Sequence, residues 1–378
     1  MNTIQRDHCV VTGEKDLEKL HCMKDFPLFM GCTTNDPSMD ILVDMEWSIS
    51  KSSGLIQLSN LIPLDVLYAE SHGAGSVGRA WQMHHDSFAQ FINQYSPQSV
   101  LEIGGGHGIL SKSFHSLSES DWVIVEPNPT PESGVKAKYI EGFFDEHFSY
   151  EKKVDAIVHS HVFEHIYFPQ IFIEHISSFA QDGDMHIFSV PNMMAMLERH
   201  YTNCINFEHT LFLTEPYIEY LLAKTGFRII KKQHFMEDHS LFYSTVKDSS
   251  VQPIQLSGKL YALNRNVYNE FVKVHLDVIQ GTNSRIKKCS KPVYLFGAHI
   301  FAQYLIGFGL DVEGISCILD NDPNKQGKRL YGCDLQVESP KILKDVNEPV
   351  IILKAGIYNE EIKADIINNI NNRAEFWE

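Results

Sequence analysis

Long apolar runs are missing from this sequence of 378 residues. No stretch approaches the ~18 consecutive apolar residues that a membrane-spanning helix requires. Residues 1–7 also lack the apolar segment of a signal peptide. Neither a membrane span nor secretion is indicated, and we expect a cytoplasmic protein.

Basic residues are in the minority, with 32 lysines and arginines against 48 aspartates and glutamates and a formal net charge of −16. This balance argues against a broad surface for a phosphate backbone, so nucleic-acid substrates are not expected. Cysteine is sparse as well. The seven cysteines are scattered and odd in number, which favours reduced thiols over a disulfide framework.

The residues that are present indicate a globular protein with more than one domain. Hydrophobic residues make up 43% of the chain and aromatic residues 11%. Because a chain of this length exceeds the size of a typical single core, we expect two or three domains.

The most informative stretch is a glycine-rich turn between an apolar strand over 99–103 and a helix that begins at Ile109. The glycines are Gly104, Gly105, Gly106 and Gly108. Such a turn lets a ligand lie against the backbone, and the following helix presents free N–H groups. A dinucleotide and S-adenosylmethionine both suit it. A dinucleotide motif that starts at Gly104 needs a third glycine where Ile109 stands, whereas Glu102 is placed to meet the amino end of S-adenosylmethionine. The methyl donor is favoured.

Further residues complete a candidate nucleoside site. The next strand ends at Glu126, whose carboxylate is placed to accept hydrogen bonds from two ribose hydroxyls. The third strand leads to Phe143 and Phe144, which suit an adenine face, and the fourth opens into His159 and Ser160. We assign all five, with Glu102 and the glycines at 104, 106 and 108, to the cofactor site. The alternative is an ordinary doubly wound α/β domain whose aromatic residues pack the core.

The N-terminal part alternates short apolar runs with turns, and a β unit of this size usually needs a metal or another staple. Two of its turns read Cys9-Val-Val-Thr12-Gly13 and Ser50-Lys-Ser-Ser53-Gly54-Leu55-Ile-Gln57-Leu58. With the methyl-donor motif, they resemble the sugar C-methyltransferases, which methylate a carbon of nucleotide-linked ketosugars. That family reads Cys-x-x-Cys-Gly and Cys-x-x-Cys-Gly-Leu-x-Gln-Leu here and holds zinc on the four cysteines. Because three of the four positions are hydroxyls in this chain, we expect no metal there.

The resemblance extends over essentially the whole chain and implies an α/β protein of three parts. These are a small N-terminal β-rich module over 1–75, a class I methyltransferase Rossmann-like sheet over 76–250 that binds S-adenosylmethionine, and a C-terminal Rossmann-like α/β domain over 251–378. In the family, the last domain helps to bind the substrate and carries a segment similar to Asp320-Asn-Asp-Pro-Asn-Lys325-Gln326-Gly327. A strand pair over 227–235 and 240–246 is typical of the close of a methyltransferase sheet.

Residues 68–78 are glycine-rich and polar and suit a loop over the cofactor. They lead into a predicted helix over 79–95 whose Trp81 and His84 lie on one stripe. Trp81 fits core packing as well as a substrate site, and His84 matches a Trp-x-x-His position near the active site of the resembling family. We assign Trp81, His84 and His161 to the substrate side.

The resembling family carries Tyr-x-Glu-His before the late helix, where this chain reads Asn206-Phe207-Glu208-His209. In a C-methyltransferase a histidine removes the proton beside a ketone, and the enolate carbon takes the methyl group. The resemblance makes His209 the general base, with Glu208 to orient or tune it, and places Asn206 among the substrate-binding residues. In a chain with 19 histidines, a surface Glu–His pair is the alternative.

These observations predict an S-adenosylmethionine-dependent methyltransferase of carbohydrate biosynthesis that acts on a small molecule, a nucleotide-linked sugar, at carbon. Asn206 weakens the case for C-methylation, since an amide does not titrate as a phenol does. An O-methyltransferase of a sugar hydroxyl or a related small polar metabolite is therefore an alternative. A second alternative is a non-catalytic sugar-nucleotide-binding or scaffold protein, against which the intact glycine turn and Glu126 argue.

Overall fold

The computed structural model of the protein describes residues 3–68, 78–355 and 358–378. The strands in these ranges are β1 Ile4–Gln5, β2 Leu17–Pro27, β3 Cys32–Thr33, β4 Leu42–Ser50, β5 Ile56–Leu58, β6 Asn60–Leu61, β7 Ser99–Ile103, β8 Asp121–Glu126, β9 Lys138–Glu141, β10 Ala156–Ser160, β11 Met185–Pro191, β12 Phe227–Phe235, β13 Ser240–Lys247, β14 Val293–Phe296, β15 Ile315–Leu319, β16 Arg329–Leu330, β17 Val337–Glu338, β18 Val350–Leu353 and β19 Glu375–Trp377. The helices are α1 Leu64–Leu67, α2 Arg79–Asn93, α3 Ile109–His115, α4 Pro169–Phe179, α5 Met193–Glu198, α6 Glu215–Lys224, α7 Leu260–Ile286, α8 Ile300–Gly307 and α9 Asn359–Asp365.

The chain divides into two compact units, each built from several segments. The first unit comprises Met1–Glu18, Ile49–Met196 and Glu208–Asn264, and the second comprises Lys19–Ser48, Leu197–Phe207 and Arg265–Glu378. The three-part division implied by the resemblance, with boundaries after residues 75 and 250, stays a prediction.

The first unit contains a seven-stranded sheet in the order β12-β13-β11-β10-β7-β8-β9. Strands β7 to β11 pair in parallel, whereas β13 runs antiparallel to β11 and β12. This topology confirms the predicted α/β fold of a class I methyltransferase, and the predicted strand pair forms β12 and β13. The strand order reverses at β7, with β8 on one side and β10 on the other. In open α/β sheets, ligands bind at the carboxyl ends of the strands beside such a reversal.

Helix α2 covers one face of this sheet because its apolar residues recur every three or four positions. Its Phe88, Phe91 and Ile92 are buried in one core cluster with Val100, Trp122, Ile124, Val158 and Ile187 of the strands. Burial of each large apolar side chain contributes about 1.5–3 kcal/mol. The central strands are buried on both faces, which is why they appear in the sequence as continuous apolar runs.

Short strands of the N-terminal region pair with each other, and one of them, β5, binds the segment that follows His209. Strand β1 pairs with β6 in antiparallel register, with Ile4 opposite Leu61. The backbone N–H of Leu58 in β5 donates to the carbonyl of Thr210 at 2.9 Å, and the N–H of Phe212 donates to Ile56 at the same distance. The backbone of residues 210–212 is therefore fixed against β5.

The second unit has its own parallel five-stranded sheet in the order β17-β15-β14-β18-β19. Its core contains residues from β14, β15 and β18 together with Leu343 and Ile366. Strand β3 pairs with β16, and beside this pair the guanidinium of Arg329 binds both carboxylate oxygens of Asp40 at 2.6 and 2.7 Å. Within the described part of the chain, no helix is both long enough and apolar enough to cross a membrane.

Candidate functional site

The glycine turn lies at the carboxyl end of β7, and its backbone requires glycine at several positions. Gly104, Gly106 and Gly108 have positive φ values of 71°, 47° and 76°. A Cβ on Gly104 would lie 2.6 Å from a methyl carbon of Val162, and one on Gly108 would lie 2.5 Å from the hydroxyl oxygen of Tyr139. A Cβ on Gly106, in contrast, would meet no atom within 4 Å. The turn is thus tightly packed from the protein side and open at Gly106.

Glu126, at the end of β8, lies beside this turn. One of its carboxylate oxygens accepts a hydrogen bond from the backbone N–H of Gly106 at 3.0 Å, and the other accepts from Asn128 at 3.2 Å. A carboxylate offers about four acceptor sites, so Glu126 retains capacity for the ribose hydroxyls that we assigned to it.

Glu102 has a different role from the one we predicted. Its side chain is buried beneath the turn, where the indole N–H of Trp122 donates to the carboxylate at 2.6 Å. A Cβ on Gly105 would meet a carboxylate oxygen of Glu102 at 2.9 Å. Burial raises the pKa of Glu102 to about 7, although the Trp122 hydrogen bond opposes this shift. Glu102 therefore supports the turn from below, and the structure does not leave its carboxylate open to the amino end of a methyl donor.

Two of the other predicted cofactor residues pack against aromatic side chains of the protein. The ring of Phe144 packs in an aromatic cluster with Phe148, Phe172, His175 and Phe179. His159 is fully buried, with its Nε2 atom 3.0 Å from Nε2 of His186 and its ring stacked on Phe188. The prediction for His159 is corrected, because its side chain belongs to the core, whereas cofactor contact by the half-buried Phe144 stays a prediction.

Phe143 and Ser160 remain as candidates. The side chain of Phe143 is 51% exposed, so its ring is available to a bound adenine. The hydroxyl oxygen of Ser160, at the end of β10, is buried and makes no hydrogen bond to the described residues. An unsatisfied buried hydroxyl is costly unless a ligand or water satisfies it, so the neighbours of the glycine turn fit a polar ligand.

The structure brings the predicted substrate residues Trp81, His84 and His161 together. The ring of Trp81 makes edge contacts with His161 and His84, with centroids 4.8 and 5.4 Å apart. His84 is completely buried, and its Nε2 atom lies 2.8 Å from the hydroxyl of Ser189. Burial lowers the pKa of His84 well below its usual range. His84 therefore supports Trp81 and His161 from the core and has no surface for a substrate.

His239 completes this group, although the sequence analysis did not single it out. Its Nδ1 atom lies 2.7 Å from the hydroxyl of Ser240, which lies 2.8 Å from Nε2 of His161. Its ring also contacts Trp81, with centroids 5.0 Å apart. The predicted antiparallel direction of β13 could have indicated that His239 lies at the site. The first residues of such a strand lie at the carboxyl edge of its parallel neighbours.

His209 lies beside His165, with ring centroids 4.7 Å apart and an angle of 69° between the rings. Glu164 completes this cluster, since one ligand atom each from Glu164, His165 and His209 lies within 4.8 Å of the others. Glu164 and His165 end a short 3-10 turn that follows β10. Val162, which packs on Gly104, precedes that turn directly. The cluster is therefore connected to the glycine turn through a short stretch of chain.

Arg6 holds both segments of this cluster in place. Its buried guanidinium donates to the carbonyl oxygens of Tyr167 at 2.6 Å, Thr210 at 3.1 Å and Leu58 at 3.2 Å. Burial lowers the pKa of Arg6 to about 9. Tyr167 follows His165 by two residues, and Thr210 follows His209 directly. No local pattern in the sequence marks this anchor, because its partners lie far apart in the chain.

The two N-terminal turns, in which Cys9 alone stands at a cysteine position of the resembling family, lie in contact with each other. The Cys9 sulfur lies 3.3 Å from the hydroxyl oxygen of Ser53, and the backbone N–H of Ser53 donates to the hydroxyl of Ser50 at 3.2 Å. The backbone N–H of Gly13 donates to the carbonyl of Cys9 at 2.7 Å. Polar contacts thus close the two turns on each other.

Three further predictions concern other parts of the chain. Asn206 is buried and belongs to the second unit. Residues 69–77 of the predicted cofactor loop lie outside the described residues. Asp320, which follows β15, joins two loops of the second unit, because its Oδ2 accepts from the N–H of Ala298 after β14 at 2.8 Å and from Lys325 in its own loop at 3.0 Å.

Part of the chain is similar to known methyltransferases. Residues 80–232 match a family described as a methyltransferase domain. The structure is similar to magnesium protoporphyrin IX methyltransferase from Synechocystis PCC 6803 with bound SAH, at 15% identity over 47% of this chain and 91% of that chain, with a TM-score of 0.37. It is also similar to a putative S-adenosylmethionine-dependent methyltransferase from Listeria monocytogenes, at 12% identity over 44% of this chain and 99% of that chain, with a TM-score of 0.36. No curated protein matches the sequence.

The domain match, the strand order and the glycine turn together define the class of protein. It is an enzyme of the methyltransferase class, and its methyl donor is S-adenosylmethionine, as the sequence predicted. The non-catalytic alternative is not supported.

Proposed function

We propose that the protein transfers a methyl group from S-adenosylmethionine to a carbon of a nucleotide-linked sugar, with His209 as the general base. The observation that carries this proposal is the cluster of His209 with His165 and Glu164, whose turn follows directly on Val162, the residue that packs against Gly104. The substrate class rests on the resemblance to the sugar C-methyltransferases, from which Glu208 and His209 carry over.

The residues around the turn fit the methyl donor. Gly106 leaves room for a ligand against the backbone, Glu126 is available to the ribose hydroxyls, and Phe143 is available to the adenine. S-adenosylmethionine, when bound, supplies a methyl group that is released as its bond to sulfur breaks. The protein's part is to align the nucleophile with that carbon and to remove a proton.

On the substrate side, His209 takes the proton from the carbon beside a ketone, and the electron pair left on that carbon forms the new bond to the methyl group. Glu208, its neighbour in the chain, orients the imidazole. Trp81, His161 and His239 form an aromatic group at the carboxyl edge of the sheet and suit the apolar face of a sugar ring.

The direct test is to incubate the protein with labelled S-adenosylmethionine and a panel of nucleotide-linked ketosugars, and to locate the label by NMR. Label on a ring carbon is expected. Label on oxygen would transfer the proposal to O-methylation, which Asn206 favours because it replaces the family's tyrosine. No labelled product from any sugar of the panel would overturn the substrate class.

The role of His209 has its own test. Because a base acts only in the chemical step, His209→Ala should lower turnover by ~10²–10⁴-fold and leave the affinity for S-adenosylmethionine near that of the wild type. The matched control is His234→Ala, which removes an exposed imidazole from β12 and should change neither quantity. If the His209 variant kept more than about a tenth of the activity, which is less loss than a general base accounts for, another group would have to take the proton.

A further inference from the structure

Three metal-ligating side chains converge from two separate segments of the first unit. Glu164 and His165 come from the turn after β10, and His209 comes from the segment held against β5. Each offers one ligand atom, and these atoms lie within 4.8 Å of one another. One ion that contacts its ligands at the usual distances of about 2.0–2.2 Å holds them at most about 4.4 Å apart, a spacing that small side-chain adjustments of this cluster reach.

The carboxylate of Glu164 is the second observation that indicates a cation. Glu164 is only 1% exposed, and neither of its oxygens has a hydrogen-bond partner among the described residues. A buried charge without partners is costly, and a divalent cation would supply the compensation.

His161 is the nearest polar side chain to this carboxylate. Its Nδ1 atom lies 3.1 Å from one carboxylate oxygen of Glu164 without forming a hydrogen bond to it, and its Nε2 atom lies 2.8 Å from the hydroxyl of Ser240. The hydroxyl of Tyr68 lies 3.4 Å from Nδ1 of His165. A contact of this kind orients a metal-ligating imidazole and fixes its tautomer.

We propose that Glu164, His165 and His209 bind one divalent transition-metal ion, with Zn²⁺ as the favoured occupant. Two imidazoles and one carboxylate form a ligand set that Zn²⁺ accepts, and they leave a position for water.

The metal and the catalytic proton compete for His209. A neutral imidazole has a single basic nitrogen, so a His209 ring that binds the ion no longer accepts a proton from the substrate. Bound Zn²⁺ is therefore an inhibitor of methyl transfer. This inhibition rests on the proposed role of His209, whereas the binding of the ion does not.

The test begins with the full chain freed of metal by a chelator and dialysed. Zn²⁺ is titrated by calorimetry, and Co²⁺ is added as a visible-absorption probe. We expect one site that weakens at least ~100-fold in Glu164→Gln, since even loss of a supporting contact outside the ligands costs 10–100-fold. His209→Asn should give the same loss if the first variant fails to fold, and His234→Ala should bind as the wild type does. Circular dichroism checks folding.

Equal Zn²⁺ affinity in the wild type and in a folded Glu164 or His209 variant would overturn the metal site, whatever the enzyme's substrate. A second measurement adds Zn²⁺ to the methyl-transfer assay at concentrations that fill the site. Loss of turnover supports the competition. Binding without loss of turnover would leave the metal site standing and would remove His209 from its role as base.

Discussion

The carboxylate of Glu126 and the backbone N–H of Gly106 share a hydrogen bond of 3.0 Å, which joins the ends of β7 and β8 at the cofactor site. Glu126→Ala should weaken S-adenosylmethionine binding by roughly 2–3 kcal/mol, the size expected for hydrogen bonds to a charged acceptor. Calorimetric titration measures the change. Glu119→Ala is the control, because it removes an exposed carboxylate paired with Lys136. Unchanged affinity in the Glu126 variant would exclude that residue from the cofactor site.

The buried carboxylate of Glu102 makes stability depend on pH. Burial raises its pKa to about 7 in the folded protein, compared with 4.5 for an ordinary glutamate. As the pH rises between these values, the unfolded chain releases a proton that the folded protein still holds, so stability falls. The two pKa values differ by an amount equivalent to about 3 kcal/mol.

Glu102→Gln should remove this dependence, because the amide oxygen can still accept from Trp122 but no longer ionises. Urea unfolding at pH 5 and pH 8 measures the effect in both proteins. We expect the free energy of unfolding to fall more in the wild type than in the variant over this interval. A parallel fall in the two proteins would mean that Glu102 already ionises at its ordinary pKa in the folded state.

Sequence reasoning reached the sheet and the glycine turn because both depend on local patterns. Apolar runs predict buried strands, and the glycines of a turn with positive φ are visible in composition alone. The direction in which a side chain points was harder to predict from the sequence. Glu102 and His159 lie on the strands that flank the cofactor site, as predicted, but their side chains are buried in the core. Along a strand, successive residues face opposite sides of the sheet, and a continuous apolar run does not show which side faces a ligand.

Contacts between residues far apart in the chain were the second feature that the sequence did not predict. Glu164 and Arg6 carry no local motif, and their importance follows only from which segments the fold brings to them. His209 was found because a resemblance to Tyr-x-Glu-His marked it. Its neighbour His165 was not assigned to the site, since the approach of residues 165 and 209 depends on tertiary packing.

Arg6 should contribute strongly to stability, since its buried guanidinium satisfies carbonyl oxygens in three separate segments. Arg6→Ala removes these hydrogen bonds, although the Thr210 carbonyl keeps another, from the N–H of Leu58, and should lower the free energy of unfolding by about 2–5 kcal/mol. Urea unfolding provides the measurement. In the control Arg228→Ala, an exposed arginine loses its ion pair with Asp248, and the change should stay within about 1 kcal/mol. Similar effects of the two substitutions would show that Arg6 is not an anchor.

The N-terminal turns should be convertible into a zinc site. In a zinc–thiolate site with Zn–S distances of about 2.3 Å, two sulfurs lie roughly 3.8 Å apart, and Cys9 Sγ already lies 3.3 Å from the Ser53 hydroxyl. We expect Thr12→Cys, Ser50→Cys and Ser53→Cys together to gain one Zn²⁺ per chain and a higher melting temperature. The substitutions are made in the Glu164→Gln protein, so that the other metal site does not contribute. Elemental analysis gives the count, and adding Cys9→Ala should abolish the gain. A triple variant that folds but binds no zinc would show that the two turns do not hold the geometry of four metal ligands.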